Sequence, residues 1–310
     1  MSGSSRRRLA LLGAVALAAL ARLGAAAPDA AAEEASVLKW RAERAAALTS
    51  DTGWLTLAGL LWLHPGMNSF GSAPGNDLVL GNAALAGHAG VFEVAAGHVR
   101  FHAQPGANVE LDGAPVEVAE LRTDAQGEPT VLASGPLRFF VIARGGKLAV
   151  RVRDLDNPRR LGFRGLQYFP VSTQWVVTAH FERYPRGKRI PIVNILGMQE
   201  EEPCPGALVF TRNGRQYRLD TVLEEPDAAE LFVMLADATS GRETYGGGRF
   251  LYVPRPAGDT AVVDFNKAYN PPCALNDFAT CPLPPPQNRL SLRIDAGELS
   301  YAGAGAHAPP

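Results

Sequence analysis

The chain has 310 residues, of which 46% are apolar and 20% are charged, and its net charge is -1. A chain of this size and composition buries one large or two ordinary cores, which excludes wholesale disorder. The near-neutral charge argues against a nucleic-acid partner, because such a partner normally requires a basic surface. With 32 glycines, 24 prolines and few long helical periods, the sequence favours many short strands, and we predict an all-β fold.

Residues 1–32 have the pattern of a signal peptide followed by a linker. Three arginines at 6–8 precede an apolar run over 9–20, and small residues follow through Ala27. The apolar run is too short to span a bilayer comfortably, so we expect no membrane span after leader removal. Residues 5–9 also resemble a twin-arginine motif, which leaves two export routes open. We expect an exported protein, periplasmic or secreted.

The next segment, residues 33–63, is predicted to hold one helix and a lead-in strand. Good helix formers over 33–48 surround the apolar residues Val37, Trp40 and Leu48, which indicates an amphipathic helix. Gly53 then breaks the helix, and an apolar stretch leads into the first domain.

Residues 64–155 are predicted to form a β-sandwich, because short apolar runs alternate there with Gly, Asn and Asp turns. The predicted strands are 78–80, 91–94, 99–101, 109–111, 130–133, 137–142 and 148–152.

Several landmarks in this segment follow the order found in forkhead-associated domains. They are Phe70-Gly71-Ser72, Asn76-Asp77, His88 and Asp112-Gly113. The segment resembles that family, which reads phosphothreonine with an Arg after the Gly and a Ser three residues before the His. Ser72 and Leu85 stand at those two positions, so the donors that would hold a phosphate are missing. The resemblance therefore implies the scaffold without a phosphopeptide partner.

Residues 156–301 are predicted to form a second β domain, which begins at a turn over 156–158, and residues 302–310 a disordered tail. Its predicted strands are 175–181, 190–196, 207–211, 217–222, 231–236, 249–253, 261–266 and 290–294.

The stretch DFNKAYNPPC, residues 264–273, is the densest run of position-specific residues. Strand alternation places Asp264 and Asn266 on one side, and the prolines that follow end the strand. Cys273 and Cys281 bracket a segment that a disulfide would close, with a stabilisation of about 2.5 kcal/mol. Such a loop suits a rigid binding site or a structural clasp, and Cys204 is left as an odd thiol.

Further polar residues precede this loop. Asp237, Thr244 and Tyr245 follow a strand end, and Arg249 follows a Gly run over 246–248 that lacks the features of a phosphate loop. On an earlier strand, Arg151 and Arg153 share one face, which is interpreted either as a solvated face or as an anion-binding patch.

These motifs together resemble the bacterial and archaeal domain-of-unknown-function family 1684. The matching residues are Trp54-Leu55, Phe70-Gly71-Ser72, Arg151-Val152-Arg153-Asp154, Asp237-x-Thr239-x-Gly241, Thr244-Tyr245-Gly246, Arg249-Phe250-Leu251, the DFNKAYNPPC stretch, Cys281-Pro282 and Ala296-Gly297-Glu298. The resemblance implies no activity. Many members look cytosolic, so reduced thiols or metal ligation stay open beside the disulfide.

Three classes of function remain. The favoured one is a binding module for a small polar molecule, with Arg151, Arg153, Thr244, Tyr245, Arg249, Asn266, Tyr269 and Asn270 as candidate contacts. The second is a hydrolase-like enzyme in which Asp237 and Asp264 perform acid-base chemistry. The third is a structural or partner-docking protein. Cysteine spacing is a poor match to zinc, no Gly-x-Ser-x-Gly elbow occurs, and no cofactor is indicated.

Overall fold

The computed structural model describes residues 29–302 and confirms the all-β prediction. The predicted leader and the predicted tail fall almost entirely outside these residues, so export stays a prediction. The described residues contain two helices, α1 (Ala30–Thr49) and the single-turn α2 (Pro158–Leu161), besides short 3-10 turns. Within residues 29–302 no helix is long and apolar enough to cross a membrane.

Eleven strands form the first half of the chain. They are β1 (Leu57–Trp62), β2 (Gly66–Gly71), β3 (Leu78–Val79), β4 (Gly90–Ala95), β5 (His98–Ala103), β6 (Glu110–Leu111), β7 (Ala114–Pro115), β8 (Val118–Leu121), β9 (Leu132–Ser134), β10 (Leu137–Arg144) and β11 (Lys147–Asp154).

These strands make two sheets that enclose one core. The first sheet has the order β1-β11-β10-β9-β6-β7 and the second has β3-β2-β4-β5-β8. Phe70, Phe92, Phe101 and Phe139 pack between the sheets, with ring centroids 4.8 to 6.4 Å apart. On β11, Val150 and Val152 belong to this core, so strand alternation turns Arg151 and Arg153 to the opposite face.

Eight strands form the second half. They are β12 (Val176–Arg183), β13 (Arg189–Val193), β14 (Gln199–Pro203), β15 (Gly206–Arg212), β16 (Arg215–Asp220), β17 (Glu230–Leu235), β18 (Arg249–Pro254) and β19 (Thr260–Asp264). A four-stranded sheet has the order β16-β15-β12-β19, and β13-β14 and β17-β18 are antiparallel hairpins. The main core of this half packs Trp175, Phe181, Phe210, Val263 and Phe265.

The prediction of a strand over 290–294 is wrong. This segment joins its neighbours at single points, where Leu290 N donates to Ala236 O at 2.8 Å and Ala238 N donates to Leu292 O at 2.9 Å. Farther along, Ile294 N donates to the Asp237 carboxylate at 2.7 Å. The Asp237 side chain thus accepts from the backbone N–H of Ile294, which would donate to a neighbouring strand if this segment were part of a sheet.

Helix α1 lies against the second half of the chain. Asp29 caps its start by accepting from Ala31 N, and Val37 and Leu48 are buried. Arg44 forms a close ion pair with Glu298, whose side chain is fully buried. The helix therefore brings a cation to the C-terminal loops.

Candidate binding cavity

A cavity of about 330 Å³ lies where the outer face of the first sheet meets helix α1 and the second half of the chain. The lining of this cavity, called the main cavity below, contains cations, apolar and aromatic residues, and one carboxylate, Glu224. The cations are Arg44, Arg144 and Arg151, and the apolar and aromatic residues include Trp54, Phe232, Phe250, Tyr252 and Tyr269. This combination is typical of a site that binds a small molecule with a charged group and an apolar body.

Arg151 is the cation without a counter-ion. Its side chain points away from the sandwich core and is only 4% exposed. Its Nη2 donates to Thr280 Oγ1 at 3.3 Å, while its Nε has no hydrogen-bond partner. Among residues 29–302 no carboxylate lies within an ion-pair distance of Arg151. Burial, and then repulsion from the Arg144 cation, lowers the pKa of Arg151 to about 10, although attraction to the Asp124 carboxylate opposes this shift.

The other two arginines of the cavity are already paired. Arg144 Nη1 lies 2.7 Å from Asp124 Oδ2. Arg44 binds Glu298 through Nε and Nη2, and its Nη2 also donates to Asn270 O at 2.9 Å. Because a buried, unpaired charge is costly, Arg151 is the group that an anion would stabilise most.

An aromatic wall faces the arginines. Tyr252 and Tyr269 stack with centroids 6.2 Å apart and an interplanar angle of 19°. Phe232 and Phe250 meet edge to face at 4.9 Å, and the guanidinium of Arg44 lies 4.3 Å from the centroid of Tyr269. Burial raises the pKa of both tyrosines, so both are neutral donors at physiological pH.

Asn270 supplies a second unpaired polar group. Its N–H donates to Glu298 Oε2 at 2.8 Å and its Nδ2 donates to Leu299 O at 2.7 Å. The side-chain oxygen Oδ1 is buried without a partner, although the residue lines the cavity. The lining of the cavity therefore contains an unpaired acceptor as well as an unpaired cation.

Glycine at position 297 is required for this arrangement. Its φ is +80°, and a Cβ there would lie 2.4 Å from Ala268 O. Only glycine fits, and the turn it makes places Glu298 between Arg44 and Asn270.

The comparisons with known proteins concern mainly the second half of the chain. Residues 161–299 match the family model described as Protein of unknown function (DUF1684). A solved NMR structure, of an uncharacterized protein from Haloarcula marismortui, is 30% identical over 45% of this chain and 78% of that chain, with a TM-score of 0.39. The chain belongs to the DUF1684 family. No curated protein matches it.

The segment that matches the DUF1684 model supplies the aromatic wall, Asn270, Thr280 and Cys281 of the cavity. The three arginines lie before that segment. The cavity is thus assembled from the DUF1684 segment and from the residues that precede it.

Asp237, Thr244 and Arg249, which were predicted as site residues, lie in a separate buried cluster. Asp237 Oδ1 accepts from Thr239 Oγ1 at 2.7 Å and lies 3.4 Å from Arg249 Nη2. Thr239 and Thr244 hydroxyls are 2.9 Å apart. Arg249 donates to the carbonyls of Ile294 and Ala296, and burial lowers its pKa. This cluster ties the C-terminal segment to β18 and does not line the main cavity.

Asp264 and Asn266 form a third cluster. Asn266 Nδ2 donates to Asp264 Oδ1 at 2.9 Å and to Ser172 O at 3.0 Å, and its Oδ1 accepts from Ser172 N at 2.9 Å. Lys267 lies 3.1 Å from the Asp264 carboxylate. Burial, and then the charge of Asp264, raises the pKa of Glu33 on helix α1. Asp237 and Asp264 have different partners, and neither lines the main cavity.

The cysteines of the predicted disulfide are adjacent but free. Cys273 N donates to Cys281 Sγ at 3.1 Å, and Cys281 lines the cavity. Hydrogen bonds from Cys281 and Tyr245 lower the pKa of Cys273, whereas burial raises the pKa of Cys281. The disulfide stays a prediction. Cys204 is also buried and free, and burial raises its pKa to about 11.

Of the ten residues predicted as catalytic or binding, the structure brings Arg151, Tyr269 and Asn270 to the cavity. Arg153 instead lies 5.1 Å from the Phe140 ring centroid, and it is not part of the cavity lining. Sequence reasoning missed Arg44, Arg144, Tyr252 and Thr280. Glu298, which holds Arg44 and Asn270, was present in the Ala-Gly-Glu motif, and its position after a glycine was the signal available.

Proposed function

We propose that the protein binds a small organic anion in the main cavity, with the anionic group against Arg151. The observation that carries this proposal is a 4% exposed arginine that lines a cavity and has no carboxylate partner among the described residues. A bound carboxylate or phosphate would accept from Nε and from the terminal nitrogens of the guanidinium in the forked geometry that arginine favours.

The rest of the cavity fits the organic part of such a ligand. Phe232, Phe250 and the stacked pair Tyr252 and Tyr269 offer apolar contact area. Asn270 Oδ1 would accept from a hydroxyl or amide of the ligand, which would satisfy its unpaired oxygen. Arg44 and Arg144 already have the carboxylates of Glu298 and Asp124 as partners, so Arg151 is the cation of the cavity left for the ligand's anionic group.

A binding role fits the contacts better than the hydrolase alternative does. The Asp237 carboxylate accepts from Thr239, Ser240, Arg249 and the backbone of Ile294, so its lone pairs are occupied. A general base must reach a substrate proton, directly or through one water. We therefore assign Asp237 a structural role and not that of a general base.

The test is ligand-induced stabilisation with a matched pair of variants. Thermal unfolding of the full-length protein would be followed with a panel of aliphatic and aromatic carboxylates and inorganic phosphate. At a ligand concentration 100 times its Kd, the stabilisation is about 2.7 kcal/mol. We expect Arg151→Gln to lose it and Arg153→Gln, two residues away on the same strand face, to keep it.

Two outcomes would contradict the proposal. One is stabilisation of both variants to the same extent as the unaltered protein, which would place the anion elsewhere. The other is the absence of any stabilisation by the whole panel, confirmed by native mass spectrometry showing no co-purified small molecule.

A further inference from the structure

A second cavity, of about 310 Å³, adjoins the first and carries the opposite charge. The two cavities share Arg144, Glu224, Phe232, Thr280 and Pro282 in their linings. They are therefore the two ends of one groove. Beyond the shared residues, the second cavity is lined by Glu200 and Glu202 of strand β14.

The register of the β13-β14 hairpin places both carboxylates on the face that carries its buried isoleucines. Ile192 is paired with Glu200 and Ile190 with Glu202. Residues paired directly across an antiparallel ladder have side chains on the same face. Both isoleucines are buried, at 4% and 5% exposed. The two glutamates share their face of the hairpin, on which Glu202 is half-buried and Glu200 is exposed. Glu201 lies on the other face and is exposed.

The carboxylates in this cavity have few cationic partners. Within residues 29–302, no Lys or Arg nitrogen lies within 4.0 Å of a carboxylate oxygen of Glu200, Glu202 or Glu224. Glu200 Oε1 accepts from the backbone N of Gly145 at 2.6 Å, and Glu224 Oε2 accepts from Tyr252 at 2.8 Å. Burial, and then repulsion from Glu200, raises the pKa of Glu202. A cation bound here would relieve that repulsion.

We propose that the ligand of this groove is a zwitterion, with its anionic group on Arg151 and a basic amine between Glu202 and Glu224. The inference rests on the proposed anion site and adds the second end of the ligand. It depends on more than the acidic cluster, because Arg151 Nε and Asn270 Oδ1 are unpaired and buried in the same groove. Phe232 and Pro282, which both cavities share, would contact the apolar chain between the two charges.

The class of ligand that meets these conditions is an ω-amino carboxylate, a basic amino acid or a short peptide. A zwitterion would give Arg151 an anionic partner and would place one positive charge between Glu202 and Glu224, whereas a simple carboxylate would supply only the first of these contacts. Specificity would then come from the carboxylates, which reject an anion that lacks the amine.

The experiment compares matched ligands by calorimetric titration of the full-length protein at low salt. The probes are unbranched ω-amino carboxylates of four to eight carbons and the corresponding carboxylates without the amine. We expect the best amino carboxylate to bind at least tenfold tighter than its matched carboxylate. Glu202→Gln should reduce this ratio to about twofold and leave the affinity for the simple carboxylate unchanged or higher.

Glu201→Gln is the control, because it removes the same charge from the other face of the same strand. It should keep the tenfold preference. If simple carboxylates bind as tightly as amino carboxylates, or if Glu202→Gln keeps the preference, the zwitterion proposal is overturned while the anion site stands. If neither series binds and Arg151→Gln changes nothing, the anion site itself is overturned and this inference with it.

Discussion

Two buried arginines, Arg151 and Arg249, show how differently one side chain is used in the two halves of the molecule. Both are nearly excluded from solvent, at 4% and 0% exposed, and burial lowers the pKa of each. Arg249 has the Asp237 carboxylate and two backbone carbonyls as partners. Arg151 has one hydroxyl, that of Thr280, and lines a cavity.

The difference lies in what completes each site. The partners of Arg249 come from the chain itself, so its charge is compensated as soon as the C-terminal segment docks. Among residues 29–302 no carboxylate lies within 4.0 Å of the Arg151 guanidinium, and the more distant Asp124 compensates its charge only in part. Burial alone therefore does not mark a functional arginine; the informative feature is burial beside a cavity with the ion pair missing.

The largest expected effect is on the Arg249 cluster. Arg249→Met would leave Asp237 as a buried carboxylate without its cation, and removing one partner of a buried pair costs about 3–5 kcal/mol. Urea unfolding followed by circular dichroism would measure the loss. Arg293→Met is the control, because its pair with Glu243 is exposed and contributes little. Equal stability of the two variants would contradict a structural role for Arg249.

Much of the fold was predictable because strand alternation and turn residues are local signals. Strand β14 was not predicted because its sequence, QEEEP, has no apolar alternation, and it forms a strand by pairing with β13. The prediction of a strand over 290–294 was wrong for a related reason. The backbone N–H of Ile294 donates to the carboxylate of Asp237, which lies more than 50 residues away in sequence.

The site was harder to predict than the fold. The sequence pattern marks Arg151, Arg249, Asp237 and Asn270 alike, as polar residues within dense motifs. Which of them face a cavity depends on how the first sheet packs against α1 and the β17-β18 hairpin, and no periodicity encodes that packing. Arg44 and Glu298 meet across 254 residues of sequence, so neither residue alone indicates the pair.

The second-largest expected effect is a decrease in the affinity for the anionic ligand at high pH. Because the pKa of Arg151 is lowered to about 10, its cation is present below that pH and is lost above it. An anion binds the cation only, so affinity should be constant up to about pH 9 and about tenfold weaker at pH 11. Calorimetric titration across this range would measure the change, with circular dichroism to verify that the fold persists. Arg151→Gln should show no such decrease in any residual binding, and a flat profile for the unaltered protein would contradict the assignment.

The smallest effect is expected on the stability of the ligand-free protein after Arg151→Met, which is compared directly with Arg249→Met. A cation whose pKa is lower in the folded than in the unfolded state opposes folding at every pH below its folded value, here about 10. Methionine fills a similar space without the charge, so at pH 7 the free energy of unfolding should be unchanged or about 1 kcal/mol higher. Urea unfolding of the ligand-free variant beside Arg249→Met makes the measurement. If Arg151→Met loses as much stability as Arg249→Met, the guanidinium of Arg151 stabilises the packing of the two halves of the chain. That result would contradict the proposal that Arg151 binds an anionic ligand.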